Sequence, residues 1–298
     1  MVAHRALLGA IALALFVAAC ASEAQGSGPA RIAFTSARDG GLRVHVIDEN
    51  GENVERLTHG VGSHVGPAWS PDGRRLAYVA LTKPGQSELR ILDIASGRAE
   101  RIGHRFIDPR SPAWSPDGRR LAFAASGRWE QRAINVINAD GTGIARLADF
   151  GDAPTWSPDG RRIAFARDDT QDIYVMDADG ANVTNITNHP AHNQNPSWSP
   201  DGRRIAFESA RAGQSWDIYT MDAEGGAVEN ITNHAALDWA AAWSPDGTQV
   251  AFTSYRDGGV LVDRNQEIYT TDVDGGNVRR LTHEPESDLA PPGSTRRR

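Results

Sequence analysis

Four residues combine a chemically useful type with a repeated place in the chain. His64, Asn193 and Asp238 each stand five residues before a tryptophan (Trp69, Trp198 and Trp243), and Asp288 stands five before Gly293, where the spacing expects a sixth. Imidazole, amide and carboxylate groups set around one axis could hold a cation or several hydroxyls. Residues that recur once per repeat can equally be loop anchors that cap backbone groups, and both readings stand for this ring. Other chemistry is less well provided for. GxSxG and HExxH are absent, and the single cysteine, Cys20, lies outside the repeats, so no catalytic residue and no cofactor are expected. The DADG at Asp177–Gly180 begins like a calcium loop, but no Glu follows at the twelfth position and strands flank it, so it reads as a turn.

Cys20 has a chemistry of its own. Residues 1–20, MVAHRALLGAIALALFVAAC, join a weakly basic start to an apolar run of signal-peptide length and end in small residues. The VAAC stretch is similar to a bacterial lipobox, which makes Cys20 the expected lipidation site and membrane anchor, with residues 1–19 as the lipoprotein signal. Residues 20–30 read as a flexible tether, 31–295 as the folded unit and 296–298 as a basic tail. A net charge of −7 argues against nucleic acid as a partner.

The elements that must position these groups come from one unit used many times. Trp69, Trp114, Trp156, Trp198 and Trp243 are spaced 45, 42, 42 and 45 residues apart, the period of a four-stranded propeller blade. In the unit that begins at Asn195, PSWS is a short strand and SPDG a turn, RIAFES alternates large and small residues, DIYTMD is a third strand, and AVENIT a fourth. The expected fold is all-β: a six-bladed β-propeller of four-stranded antiparallel blades. The repeated tryptophans then wedge between blades.

The first unit lacks its WSPDG strand, and the C-terminal segment can supply it. The last fourth strand ends at Thr282, and eleven residues separate such ends from the next tryptophan, as Thr58 from Trp69 and Thr232 from Trp243. Eleven from Thr282 is Gly293, with Pro291 two before it, so DLAPPGS is expected to close the ring as the innermost strand of the first blade. Loops after first and third strands are short and uniform, whereas those after second and fourth strands vary. The variable face gathers His59, His64, His104, His189, His192, His234 and His283, the stretch Gly127–Arg132 and the insertion Tyr255–Glu267. Binding is expected there.

The units PSWSPDGRRIAFES with DIYTMDAEG, and PTWSPDGRRIAFARDD with DIYVMDADG, closely resemble the repeats of TolB-like propellers of bacterial envelopes, over nearly all of the chain after Cys20. The α/β domain that precedes the propeller in TolB has no counterpart between Cys20 and the first strand. Together with the lipobox-like VAAC, which supplies the anchor, the resemblance leads to the expectation of a monomeric, lipid-anchored, noncatalytic binding or assembly module, on the outer side of the inner membrane or in the outer membrane. Its partner would be an envelope protein or a peptidoglycan or other glycan component. The alternative it leaves open is a metal-dependent lyase or hydrolase of acidic sugars, with its site at the channel mouth.

Overall fold

The computed structural model describes residues 18–20, 30–83, 86–103, 106–126, 132–213, 215–257 and 266–283. They form six four-stranded antiparallel sheets and, among the described residues, no helix. Blade one holds β1 (Ala18–Cys20), β2 (Arg31–Ser36), β3 (Arg43–Asp48) and β4 (Glu55–Arg56); blade two β5 (Ser63–Trp69), β6 (Arg75–Lys83), β7 (Gln86–Asp93) and β8 (Ala99–Ile102). Blade three holds β9 (Ile107–Trp114), β10 (Arg120–Ser126), β11 (Arg132–Asn138) and β12 (Ala145–Ala148); blade four β13 (Asp152–Trp156), β14 (Arg162–Arg167), β15 (Asp172–Asp177) and β16 (Thr184–Asn185). Blade five runs β17 (Asn193–Trp198), β18 (Arg204–Ser209), β19 (Asp217–Asp222), β20 (Glu229–Asn230), and blade six β21 (Asp238–Trp243), β22 (Gln249–Ser254), β23 (Glu267–Asp272), β24 (Arg279–Arg280).

The alternation in each second strand explains how the sheets stack. Ala206 and Ile218 of blade five meet Trp243, Val250, Phe252 and Tyr269 of blade six, and Ala122 and Ala124 of blade three meet Trp156, Ile163 and Phe165 of blade four. A small face therefore receives a large one, and packing stays dense between twisted sheets. Ile32, Phe34 and Ile47 of blade one bury against Ala251, Ile268 and Leu281 of blade six, so the two ends of the ring are in contact.

Most of the WSPDGRR signature is architectural. Ser115 Oγ donates to Asp117 Oδ1 at 2.5 Å and accepts from Arg120 N at 2.9 Å, which latches the turn. Gly118 takes φ +65°, the left-handed region that favours glycine, with Pro71 of the preceding blade 3.8 Å from where a Cβ would stand. The second arginine leans the other way: Arg75, Arg120 and Arg162 lie 4.5, 4.6 and 4.8 Å over Trp114, Trp156 and Trp198 of the next blade. Trp114 Nε1 and Trp243 Nε1 donate to Ala68 O and Ser197 O of the blade before, as wedges between blades should.

The first blade differs in detail from expectation. A three-residue strand, β1, precedes Arg31, where sequence starts the fold, and pairs Ala18 with Ala33, Ala19 with Ile32 and Cys20 with Arg31. It takes the inner place that the spacing gave to the C-terminal strap. An exposed strand edge accepts any extended segment through backbone hydrogen bonds alone, which is why side-chain spacing did not reveal it. The strap itself, with Asp288 and Gly293, lies outside the described residues.

Candidate functional site

Each inner strand of blades two to six carries a bulge three residues before its tryptophan. Gly66, Ser111, Ala153, Asn195 and Ala240 all have positive φ, between 48° and 63°, and the pairing with the second strand shifts register there. These bulges and the prolines of the turns line a cavity of about 480 Å³ on the turn side of the axis, with no charged side chain among its described lining.

The predicted ring sits in the loop-face ends of the inner strands, facing away from open solvent. Asn193 and Asp238 are wholly buried and His64 is 3% exposed. Asn193 Nδ2 donates to Ala191 O at 2.7 Å and Asp172 Oδ1 at 3.3 Å, while its Oδ1 accepts from Ser209 Oγ and Arg211 Nη2. Asp238 Oδ2 accepts from Arg256 Nη2 at 3.0 Å; burial pushes its carboxyl up, opposed by Ser254 and Arg256. His64 packs edge-on against Tyr78, and burial, reinforced by Arg43 and Arg90, lowers its pKa to about 4. None of the three lines the axial cavity. All three join strand ends to neighbouring loops.

One residue along, at four before the tryptophan, side chains reach solvent or one another: Val65, Arg110, Asp152, Gln194 and Trp239. Asp152 Oδ2 lies 2.9 Å from Arg132 Nε, and Arg132 Nη2 donates to Asp168 at 3.0 Å. Burial pushes the Asp152 carboxyl up while Arg132 opposes the shift. Gln194 Nε2 donates to Glu208 Oε2 at 2.7 Å, and Glu208 Oε1 accepts from Ala240 N of blade six, also at 2.7 Å. At blades five and six the face turns aromatic. Trp239 meets Tyr255 at 4.6 Å and His192 meets Trp216 at 5.0 Å, both edge to face, and Leu237 is exposed. Trp216 O accepts from Asp238 N, which ties the loop before β19 to the start of β21.

Two signals for these residues were present in the chain. Five of its eight tryptophans are repeat wedges, which leaves Trp129, Trp216 and Trp239, all in the variable-face stretches or beside them. The recurrence of TSAR, ESAR and TSYR marks Arg38, Arg211 and Arg256, each lying over the phenylalanine of its own second strand. The histidines divide as well. Backbone N–H groups of Ala191 and Ala236 donate to His189 Nδ1 and His234 Nδ1, which ties both rings to their loops. His104 and residues 127–131 and 258–265 lie outside the described residues.

Comparison with known proteins decides the family. The profile of the TolB beta propeller domain matches residues 22–152, 149–230 and 214–297. The chain belongs to the TolB β-propeller family. A TolB-assigned structure from Agrobacterium tumefaciens aligns with a TM-score of 0.68 at 30% identity, over 77% of this chain and 84% of that one. TolB from Acinetobacter baumannii aligns at 0.71 and 23% identity, over 85% and 65%. Oligogalacturonate lyase in complex with manganese shares the fold at 0.58 and 18% identity, over 84% and 73%. In sequence, the Tol-Pal system protein TolB of Desulfosudis oleivorans is 40% identical over 55 residues, which is 18% of this chain and 13% of that protein. The chain therefore matches only a small part of that relative's length.

Proposed function

We propose that this TolB-family propeller is a noncatalytic docking module of the bacterial cell envelope, anchored through lipid on Cys20, that binds a partner protein on its loop face. One observation carries the reading. The turn-side cavity has no charged side chain in its described lining, whereas the loop face carries Trp216, Trp239, Tyr255, Arg110 and Arg132, the residue types that dominate protein interfaces. Its relatives named as Tol-Pal system proteins favour an envelope setting. Among the described residues no helix is long and apolar enough to cross a membrane. His64, Asn193 and Asp238 have the role of fixing the loops that carry the contact residues. The sugar-lyase alternative asks for a cluster of metal ligands, and no three His, Cys, Asp or Glu among the described residues are grouped to hold an ion.

The test is capture from detergent-solubilised envelopes with the anchored protein as bait. Trp239→Ala with Trp216→Ala should weaken retention of the specific partner more than tenfold, because hot-spot tryptophans contribute roughly 2 kcal/mol or more each. Arg119→Ala, on the turn face, should leave it unchanged. Equal retention by both variants, with melting of each unaltered, overturns the loop-face reading. Cys20→Ser should abolish incorporation of labelled fatty acid; persistence of the label removes the anchor.

A further inference from the structure

The junctions on either side of blade five are built alike, with one exchange. Where blades four and five meet, Asn193 Oδ1 accepts from Ser209 Oγ at 2.8 Å and Arg211 Nη2 at 2.9 Å, and Asn193 Nδ2 stands 2.7 Å from Ala191 O, 3.3 Å from Asp172 Oδ1 and 3.4 Å from Gln171 O. The amide hydrogens thus go to a carboxylate and two carbonyls. His189 N and Asn185 Nδ2 donate to the two oxygens of Asp172. Where blades five and six meet, the same bonds hold Asp217: His234 N reaches its Oδ1 at 3.2 Å and Asn230 Nδ2 its Oδ2 at 3.0 Å. Asp238 N donates to Trp216 O as Asn193 N does to Gln171 O. Arg256 Nη2 donates to Asp238 Oδ2 at 3.0 Å, the role that Arg211 has at Asn193 Oδ1.

The exchange is Asp238 for Asn193, and it reverses the polarity of one atom. Because Oδ2 takes the guanidinium, Oδ1 falls in the place of the Asn193 Nδ2, toward Asp217 Oδ1 and the carbonyls of Trp216 and Ala236. Asp238 is wholly buried, Asp217 is 1% exposed, and Asp238 Oδ1 has no hydrogen-bond partner among the described residues. An acceptor therefore stands among acceptors. The Thr232 hydroxyl carries one hydrogen and serves one carboxylate only. Charges on the elements packed against Asp238 do not fill the gap. His234 Nδ1 accepts from Ala236 N, so that imidazole is neutral. Arg211 is bonded to Asn193, and Arg280 to Glu267 and Asp257. Glu208 takes the N–H groups of Gln194, Asn195 and Ala240, and Tyr219 Oη accepts from Asn230. Among the described residues Arg256 is the only cation bonded to either carboxylate. Asp172, Asn193 and Arg211 balance to zero, whereas Asp217, Asp238 and Arg256 fall one positive charge short, and two buried carboxylates set face to face do not both stay ionised.

We propose that Asp217 and Asp238 share one proton, held between their Oδ1 atoms, and that this carboxyl–carboxylate bond fixes the start of β21 to the loop before β19 and makes the junction sensitive to pH. The proton supplies the missing charge and restores the donor that Asn193 provides at the neighbouring junction. Burial raises the Asp238 carboxyl, against Ser254, Arg256 and Thr232. The folded chain then keeps a proton that the unfolded chain gives up at about 3.8, so stability falls as the pH rises from there to the point where the pair ionises. Beyond that point the carboxylates repel across the junction. Trp216 and Trp239 stand next to the joined residues in the chain, so loss of the proton loosens the surface to which they belong. That last consequence rests on the loop-face reading given above.

The infrared carbonyl stretch of a protonated carboxylic acid is resolved from the carboxylate bands. At pH 6, about two units above the ordinary carboxyl range, the intact protein should show a protonated-carboxyl band that Asp238→Asn removes. Asn193→Asp, which builds the same pair with Asp172, should add a second. Denaturation midpoints supply a reading that needs no band: the wild type should lose stability relative to Asp238→Asn as the pH rises from 4 upward. Spectra that Asp238→Asn leaves unchanged, or parallel stability profiles for the two proteins, overturn the proposal. So does a melting temperature that rises with added sodium or calcium in the wild type and not in Asp238→Asn, since the missing charge is then a metal ion and not a proton. All of these are read without a partner, so failure of the shared proton and failure of the docking reading are told apart.

Discussion

His64 illustrates how a residue that suggests a ligand site on paper becomes a pH-dependent support when buried. Its pKa falls from 6.5 to about 4, chiefly through burial. Between those values the unfolded chain binds a proton that the folded one refuses, so stability is complete above about pH 6.5 and lost as the pH falls toward 4. The shift corresponds to about 3 kcal/mol at the acid end, by ~1.4 kcal/mol per unit. His64→Gln should flatten that part of the stability profile, read as denaturation midpoints at pH 7 and pH 4.5; an unchanged slope would place the titrating group elsewhere. Asp238 answers to a different term. Removing its carboxylate leaves the Arg256 guanidinium, only 11% exposed, without its ion partner. Asp238→Ala should therefore cost about 3 kcal/mol in urea denaturation, and a change below 1 kcal/mol would release Asp238 from its structural role.

At the scale of elements, the SPDG turn is where sequence and structure correspond most closely. Gly202 sits at φ +71° with Pro158 of the preceding blade 3.5 Å from a notional Cβ, a contact without a clash. The cost of Gly202→Ala is then the backbone's alone, about 1 kcal/mol, and Gly202→Asn should cost less; equal loss for both would point to crowding instead. The turn was legible because Pro, Asp and Gly each carry a local preference that survives any tertiary context. The inner strand was not. Its bulge is made by Gly66, Ser111, Ala153, Asn195 and Ala240, five positions with no common chemistry, held left-handed by the sheet rather than by their own propensity. In a strand with period two, one such extra residue is enough to reverse which neighbour faces out. That is why the ring counted at five before the tryptophan falls inside the protein, while Arg110, Asp152, Gln194 and Trp239, one residue on, form the rim. Trp216 and Trp239 were visible as tryptophans outside the repeat, but the meeting of Trp216 with His192 and of Trp239 with Tyr255 depends on tertiary geometry that no spacing encodes.

For the whole molecule, closure changes what repetition means for stability. In an open array of repeats each unit is held by its neighbours and the end units fray, because one face of each lacks a partner. Here Ile32, Phe34 and Ile47 of blade one share a core with Ala251, Ile268 and Leu281 of blade six, so there is no end unit. Loss of one junction should then propagate in both directions from the break. Leu281 is 3% exposed in that junction, and Leu281→Ala should remove about 2 to 4 kcal/mol. The expected signature is in hydrogen exchange: protection should fall most in β2, β3, β22 and β23, on both sides of the seam, and less in blades three and four. Wedge residues away from the seam give the control, since Trp156→Ala should centre the same pattern on blades three and four. If Leu281→Ala instead lowers protection evenly around all six blades, the ring unfolds as one unit and the seam is no weaker than any other junction. Loss confined to blade six alone would mean that the contact with blade one carries no stability, and the propeller would have to be treated as an open array whose ends merely touch.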